Sequence, residues 1–230
     1  MLRIQKYLAD QGICSRREAE ELIKRGLVSV NGTVIRIMGV QIDPAVDVVK
    51  VHQKAQKEIQ NKTTVVVYKP RGIASSREQS EGTTIYDLLP QFEDLDIVGR
   101  LDKASEGLLM LSNDGVIARA VTGAHHGTEK EYVVRVREEI NAGRIKSLHP
   151  GIMLRDGPTL PVETSFIDKH SFSIVLHEGR KHQIRRMCEF LRLTVVDLKR
   201  IRIGSVSLAR MKPGDFRILT EAEVSKLKKR

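Results

Sequence analysis

Val98-Gly99-Arg100-Leu101-Asp102-Lys103-Ala104-Ser105-Glu106-Gly107-Leu108-Leu109 is the stretch that organises the chain. A carboxylate stands directly after an Arg-Leu pair, and Gly99 and Gly107 bracket it. The apolar run Leu108 to Leu111 follows, and Asn113-Asp114-Gly115 closes it with a turn signal. The local pattern predicts a loop presenting Arg100 and Asp102, then a buried strand. Glycine permits backbone shapes and close approaches that other residues resist, so such a loop can lie against a ligand. An Asp in a Gly-containing loop is also a common turn former, and the stretch alone leaves both roles open.

The chain has 230 residues, enough for one large domain or a medium domain with a small one appended. Its hydrophobic content is 40%, with 4% aromatic residues and no Trp, which predicts an aliphatic core. A formal net charge of +10 favours a polyanionic partner, nucleic acid ahead of an acidic membrane. The two cysteines, Cys14 and Cys188, form no CxxC pair. Neither a zinc site nor a disulfide framework is expected, and reduced thiols fit a cytoplasmic protein. Met1 to Lys6 lacks the apolar core of a signal peptide, and no apolar run approaches the ~20 residues that span a bilayer. The expectation is a soluble, cytoplasmic monomer with no membrane partner. There is no Rossmann fingerprint or P-loop, and His125-His126 has no third ligand at a convincing spacing, so neither cofactor nor metal is expected.

Residues 1 to about 53 read as a compact unit. Ile4, Tyr7 and Leu8 recur at helical spacing, and Gln11-Gly12 ends that helix. Ser15-Arg16-Arg17-Glu18 has the form of a capping box opening a second helix that faces Ala19, Leu22 and Ile23 inward and closes at Gly26. Asn31-Gly32 predicts a hairpin between Val28–Val30 and Thr33–Ile35, and Val46–Val51 predicts a further strand. Residues 52 to 62 are polar and read as a linker. The domains are therefore placed at 1–59 and 60–230.

In the second domain, Val65–Tyr68 reads as a strand broken by Lys69-Pro70-Arg71-Gly72, and Lys130–Val136 as an alternating strand. The helix after Glu178-Gly179-Arg180-Lys181-His182 buries Ile184, Met187, Cys188 and Leu191. Arg185 lies beside that stripe and Arg186 nearly opposite. Val195–Leu208 alternates, with Ile201 and Ile203 on one face and Arg200 and Arg202 on the other.

Residues 1–53 resemble the S4 domain, a small RNA-binding module, through Ser15-Arg16-Arg17-Glu18-Ala19 and Val30-Asn31-Gly32. The resemblance implies that Arg3, Lys6, Arg16, Arg17 and Lys24 contact phosphates, which anchor RNA without reading its sequence. Gly99-Arg100-Leu101-Asp102 with Gly107-Leu108-Leu109 resembles the central motif of the pseudouridine synthases, the ribosomal-RNA branch of the RsuA/RluB/RluF type. Lys130-Glu131-Tyr132 and Gly179-Arg180-Lys181-His182-Gln183-Ile184-Arg185 resemble two further motifs in the expected order. Tyr68 and Ser105 depart from the family, which has Asn and Thr at these places. The resemblance implies an α+β protein: a small S4-type domain, then a mixed, mostly antiparallel sheet with flanking helices and a cleft across its middle.

It implies Asp102 as the catalytic carboxylate, Tyr132 stacking on the target base, and Arg185 paired with Asp102. Arg100, Lys69, Arg71 and Arg180 become RNA contacts. The substrate is then a uridine in ribosomal RNA or a pre-ribosomal particle, with a large-subunit target ahead of small-subunit RNA or a tRNA. Asp102 would attack C1′, attack the base, or take a proton from C2′, and the sequence does not choose. Two rival readings are a non-catalytic S4-type ribosome-assembly protein and an RNA glycosylase.

Overall fold

The computed structural model describes residues 1–123 and 128–228. His125 and His126 lie outside the described residues. In the first unit, strand β1 (Leu2–Arg3) leads into helices α1 (Ile4–Asp10) and α2 (Arg16–Lys24). Strands β2 (Val28–Val30), β3 (Thr33–Ile35), β4 (Gln41–Ile42) and β5 (Val49–Val51) follow, then helix α3 (Gln53–Gln60). The α2 capping box forms as its sequence predicts. Ser15 Oγ accepts from the Glu18 amide at 3.2 Å, and the Glu18 carboxylate accepts from the Ser15 amide at 2.7 Å. Asn31 and Gly32 both take positive φ, the two-residue turn that matches strand twist, and set Val30 opposite Thr33. Ile4, Leu8, Ala19, Leu22, Ile23 and Val28 form the core.

Two expectations for this unit are corrected. Residues 52–62 are not a linker, because α3 buries Ala55 in that core and packs Ile59 against it, one helical turn apart. The strand expected at Val46–Val51 is confined to Val49–Val51, because Asp43–Asp47 folds into a turn: the Asp47 amide donates to Asp43 O at 2.8 Å.

The second unit holds β6 (Thr64–Lys69), α4 (Ile85–Leu88), β7 (Asp96–Val98), β8 (Glu106–Ser112), α5 (Gly115–Thr122), β9 (Lys130–Val136), α6 (Ala142–Lys146), β10 (Met153–Leu154) and β11 (Gly157–Pro158). It continues with β12 (Glu163–Asp168), β13 (Ser171–Leu176), α7 (Gln183–Phe190), β14 (Val195–Ile203), β15 (Val206–Ser207), β16 (Phe216–Ile218) and α8 (Glu221–Lys228). The main sheet runs β12-β13-β9-β14-β8-β6-β16, with β15 on β14 and β7 on β8. Its described pairings are antiparallel except β8–β14, which is parallel. The fold is therefore α+β with a mixed, mostly antiparallel sheet.

The apolar runs of β6 and β8 are buried on both faces. Val65, Val67, Leu109 and Leu111 join a core with Ile184, Met187 and Cys188 of α7. Val66, Leu108 and Met110 join another with Ile117 and Val121 of α5 and Leu227 of α8. Cys14 and Cys188 sit inside their cores, where burial pushes each thiol up to about 12. β12 escapes a sequence reading because it is an edge strand whose residues are nearly all exposed, without alternation. Helix α6 is short, running from Ala142 to Lys146.

The two units touch at the β8–α5 turn. Lys62 bridges Glu18 and the Asn113 carbonyl, and Arg119 pairs with Asp10 at 2.9 Å.

Candidate active site

The parallel pair β8–β14 sets the site. Gly107 stands opposite Arg200, with φ +108. A Cβ on Gly107 would sit 2.8 Å from the Arg200 nitrogen and closer still to its carbonyl oxygen. Glycine is thus needed here for backbone contact, not only for conformation. This approach brings the Arg200 side chain beneath the loop that precedes β8.

That loop is fastened along its length. The Arg200 guanidinium donates from Nη2 to Gly99 O at 2.9 Å, from Nη1 to Arg100 O at 3.4 Å, and from Nε to Leu108 O at 2.7 Å. Ser75 Oγ donates to Leu101 O at 2.8 Å and accepts from the Leu101 amide at 3.3 Å. The Ser105 amide donates to Asp102 O at 2.9 Å, and the Gly72 amide donates to Lys103 O at 2.8 Å. With its backbone held on both sides, Asp102 keeps a side chain 40% exposed. It faces a cleft of about 970 Å³, whose lining includes Arg100, Lys130, Tyr132, Arg180, His182 and Arg200. Tyr132 is opposite Arg200 on the neighbouring strand and nearly buried.

Asp102, Tyr132, Arg100 and Arg180 therefore share one cleft, although they come from three separated segments. Arg100 is 72% exposed, with Glu81 3.7 Å away. Arg180 is more committed: it donates to Gly157 O at 3.1 Å and to Pro158 O, and it pairs with Glu178 at 3.0 Å. Arg3, Arg16, Arg17 and Lys24 lie exposed on the first unit, outside the cleft lining, and Lys24 pairs with Glu21 at 2.8 Å.

Two expectations change. No ion pair within 4 Å joins Arg185 to Asp102. Arg185 Nη2 reaches instead the Ala104 carbonyl and Ser105 Oγ, each at 3.4 Å, so it supports the loop from behind. Lys69 is no RNA contact. It is 0% exposed, and its ammonium donates to Pro70 O at 2.9 Å and Ile73 O at 2.7 Å. Burial, with Arg200 nearby, pushes its pKa down to about 8, against the opposing pull of Asp102 and Glu106. Arg71 is exposed but donates to Val196 O at 3.1 Å. Tyr68 donates to Glu106 at 2.8 Å, which also pairs with Lys199 at 3.2 Å.

Three residues were not singled out from sequence as part of a site. His182 Nε2 lies 3.6 Å from Asp102 Oδ1, and its backbone is left-handed at φ +53, a costly conformation found at functional positions. Arg200, placed by alternation on the same face as Arg202, is 1% exposed, with a bulge between the two. Lys130 is 8% exposed, lines the cleft, and is pushed down to about 8 by burial and by Arg200. The signals for Lys130 were the Lys130-Glu131-Tyr132 motif and the β9 alternation, which puts Lys130 on the same face as Tyr132.

Residues 63–190 match the family model for RNA pseudouridylate synthase, and residues 2–48 match the S4 domain model. The chain belongs to the RNA pseudouridylate synthase family. The synthase is 35% identical to the ribosomal large subunit pseudouridine synthase B of Bacillus subtilis, over 99% of this chain and 96% of that one. It is 36% identical to the dual-specificity RNA pseudouridine synthase RluF of Escherichia coli, over 97% of this chain and 77% of that one. A solved structure described as a pseudouridylate synthase superposes with a TM-score of 0.71 at 30% identity, covering 99% of this chain and 100% of the other. The synthase is thus an isomerase that acts on RNA. Among the described residues, no helix is long and apolar enough to cross a membrane.

Proposed function

We propose that this synthase converts a uridine of large-subunit ribosomal RNA to pseudouridine, with Asp102 as the catalytic carboxylate and the cytoplasm as its site of action. One observation supports the assignment: the loop that carries Asp102 is fastened by Arg200 at Gly99 and Arg100, by Ser75 at Leu101 and by Ser105 at Asp102 itself, while the carboxylate stays open to the cleft that Tyr132 lines. A carboxylate so fixed is preorganised for reaction at a glycosidic carbon or at the base. The relative named as a ribosomal large subunit pseudouridine synthase supports the choice of RNA.

The reaction requires that the bond from C1′ to N1 break, the uracil turn, and C1′ bond to C5. The C5 hydrogen leaves as a proton and N1 gains one, so no atoms are exchanged with a co-substrate. The base must first leave its stack at a cost of a few kcal/mol. In this reading Tyr132 stacks on the extruded uracil, worth about 1–3 kcal/mol. Arg100, exposed at the rim, contacts the RNA backbone or fills the vacated stack. The S4 domain, through Arg3, Arg16 and Arg17, adds phosphate contacts and a salt-dependent affinity.

The test is release of tritium from RNA labelled at C5 of uridine, with Asp102→Asn as the control. The variant is expected to fold and bind RNA while its rate falls at least about 10⁴-fold. Turnover near that of the wild type overturns the site, and free uracil in the product favours a glycosylase.

A further inference from the structure

Three buried cations surround the fastened loop. Lys69, Lys130 and Arg200 are each at most 8% exposed. Among the described residues none has a carboxylate oxygen within ion-pair distance; Lys69 bonds to Pro70 O and Ile73 O, Arg200 to three carbonyls, and Lys130 to Thr128 O at 3.0 Å. Withdrawing a cation from water without a counter-charge is costly, and such groups persist where an anion arrives during function. Two of the three open onto the cleft: Lys130 and Arg200 line it with Asp102. Lys130 also shares its strand face with Tyr132, two residues along β9, and both line the cleft.

The chemistry supplies the missing anion. When C1′–N1 breaks, its electron pair stays on the uracil, which carries a full negative charge until C5 attacks C1′; the adduct then loses the C5 proton and gains one at N1. Resting on the function proposed above, we propose that Lys130 is a further catalytic residue, whose ammonium, with the Arg200 guanidinium behind it, stabilises the detached uracil anion. Donors fixed where charge develops act strongly in a water-poor site and need no reorganisation at the moment of reaction. Lys130 transfers no atom in this step. The proton lost from C5 and the proton gained at N1 balance without it. Burial first, and then the charge of Arg200, depress the pKa of Lys130, and an arriving anion offsets both.

The experiment compares wild type, Lys130→Met and Lys130→Arg in single turnover on transcribed large-subunit ribosomal RNA, made once with uridine and once with 5-fluorouridine. Fluorine cannot leave C5 as a cation, so the rearranged 5-fluoro product keeps it and takes up water across N1 and C6; conversion is therefore read on both RNAs as consumption of the starting nucleoside by chromatography, and RNA affinity is measured separately. Fluorine withdraws electrons and carries part of the anion's charge itself. K130M is expected to bind RNA within about threefold of wild type and to lose about 100-fold in rate on uridine, the size seen when one such donor is removed. On 5-fluorouridine its loss should be at least about tenfold smaller, and K130R should recover at least about tenfold over K130M. A rate on uridine within threefold of wild type overturns the proposal. So does an equal loss on both bases, or a loss confined to affinity. If K130M does not fold, Lys130→Gln and Lys130→Arg carry the same comparison. Wild type that converts no uridine in large- or small-subunit RNA overturns the assigned reaction and this proposal with it. Wild-type conversion matched by the variants overturns this proposal alone.

Discussion

Arg200 Nη2 donates to the carbonyl of Gly99 at 2.9 Å, joining residues 101 positions apart. The same guanidinium holds Arg100 O and Leu108 O, so one buried side chain spans the start of the Asp102 loop and the strand that leaves it. Replacing Arg200 with Met leaves three carbonyls short of donors, each a penalty of about 1–3 kcal/mol, partly offset by removing a buried charge. The expected net loss is about 3 kcal/mol, read by urea unfolding, with a fall in turnover larger than any fall in RNA affinity. A variant as stable and active as wild type removes Arg200 from the loop's support.

Gly107 is the counterpart of that clamp. Alanine there needs both a positive φ and space already held by the Arg200 backbone. Gly107→Ala is expected to cost at least about 3 kcal/mol, since a rigid neighbour cannot yield and β8 must move away from β14. Thermal unfolding checks it, and an unchanged midpoint excludes the close approach.

His182 combines a left-handed backbone with a ring 3.6 Å from the Asp102 carboxylate. Asparagine adopts that conformation more readily than alanine. His182→Asn should therefore be about 1 kcal/mol more stable than His182→Ala, while both lose the imidazole that faces Asp102. The expected readout is a similar drop in turnover for the two variants, with RNA affinity kept within a few fold. Full activity in either one detaches His182 from the chemistry.

Lys69 gives a stability effect of definite sign. Its folded pKa is about 8 and its ordinary value 10.5. Between those values the unfolded chain binds the proton and the folded chain does not, so wild-type stability rises with pH. Below about pH 8 both states are protonated and folding bears the full burial penalty. Lys69→Met removes this dependence. The stability of wild type relative to the variant should climb from pH 8 to pH 10, by at most about 1.4 kcal/mol per pH unit, as read by urea unfolding at each pH. A flat difference rules out the depressed amine.

Asp102, Tyr132 and Arg100 were legible because their motifs are local: a Gly-bracketed loop, an alternating strand and an apolar run each declare themselves within a dozen residues. So were the α2 capping box and the Asn31-Gly32 hairpin, whose hydrogen bonds close within four residues. The sequence by itself thus determined the capped helix α2, the hairpin and the buried strands β6, β8 and β9, and the resemblance of its motifs singled out Asp102. Only the tertiary structure decided what surrounds that carboxylate. Arg200 reads as one more polar position on an alternating strand, yet the parallel contact with Gly107 turns it inward. Lys69 reads as an RNA contact beside a proline, yet it ends β6, which lies between β8 and β16, and it is fully buried there. Arg185 reads as the partner of Asp102, yet α7 directs it to the Ala104 carbonyl behind the loop and leaves His182 at the carboxylate. The physical reason is range. Periodicity and turn chemistry act over a few residues, whereas the burial of a charge depends on which distant strand becomes its neighbour.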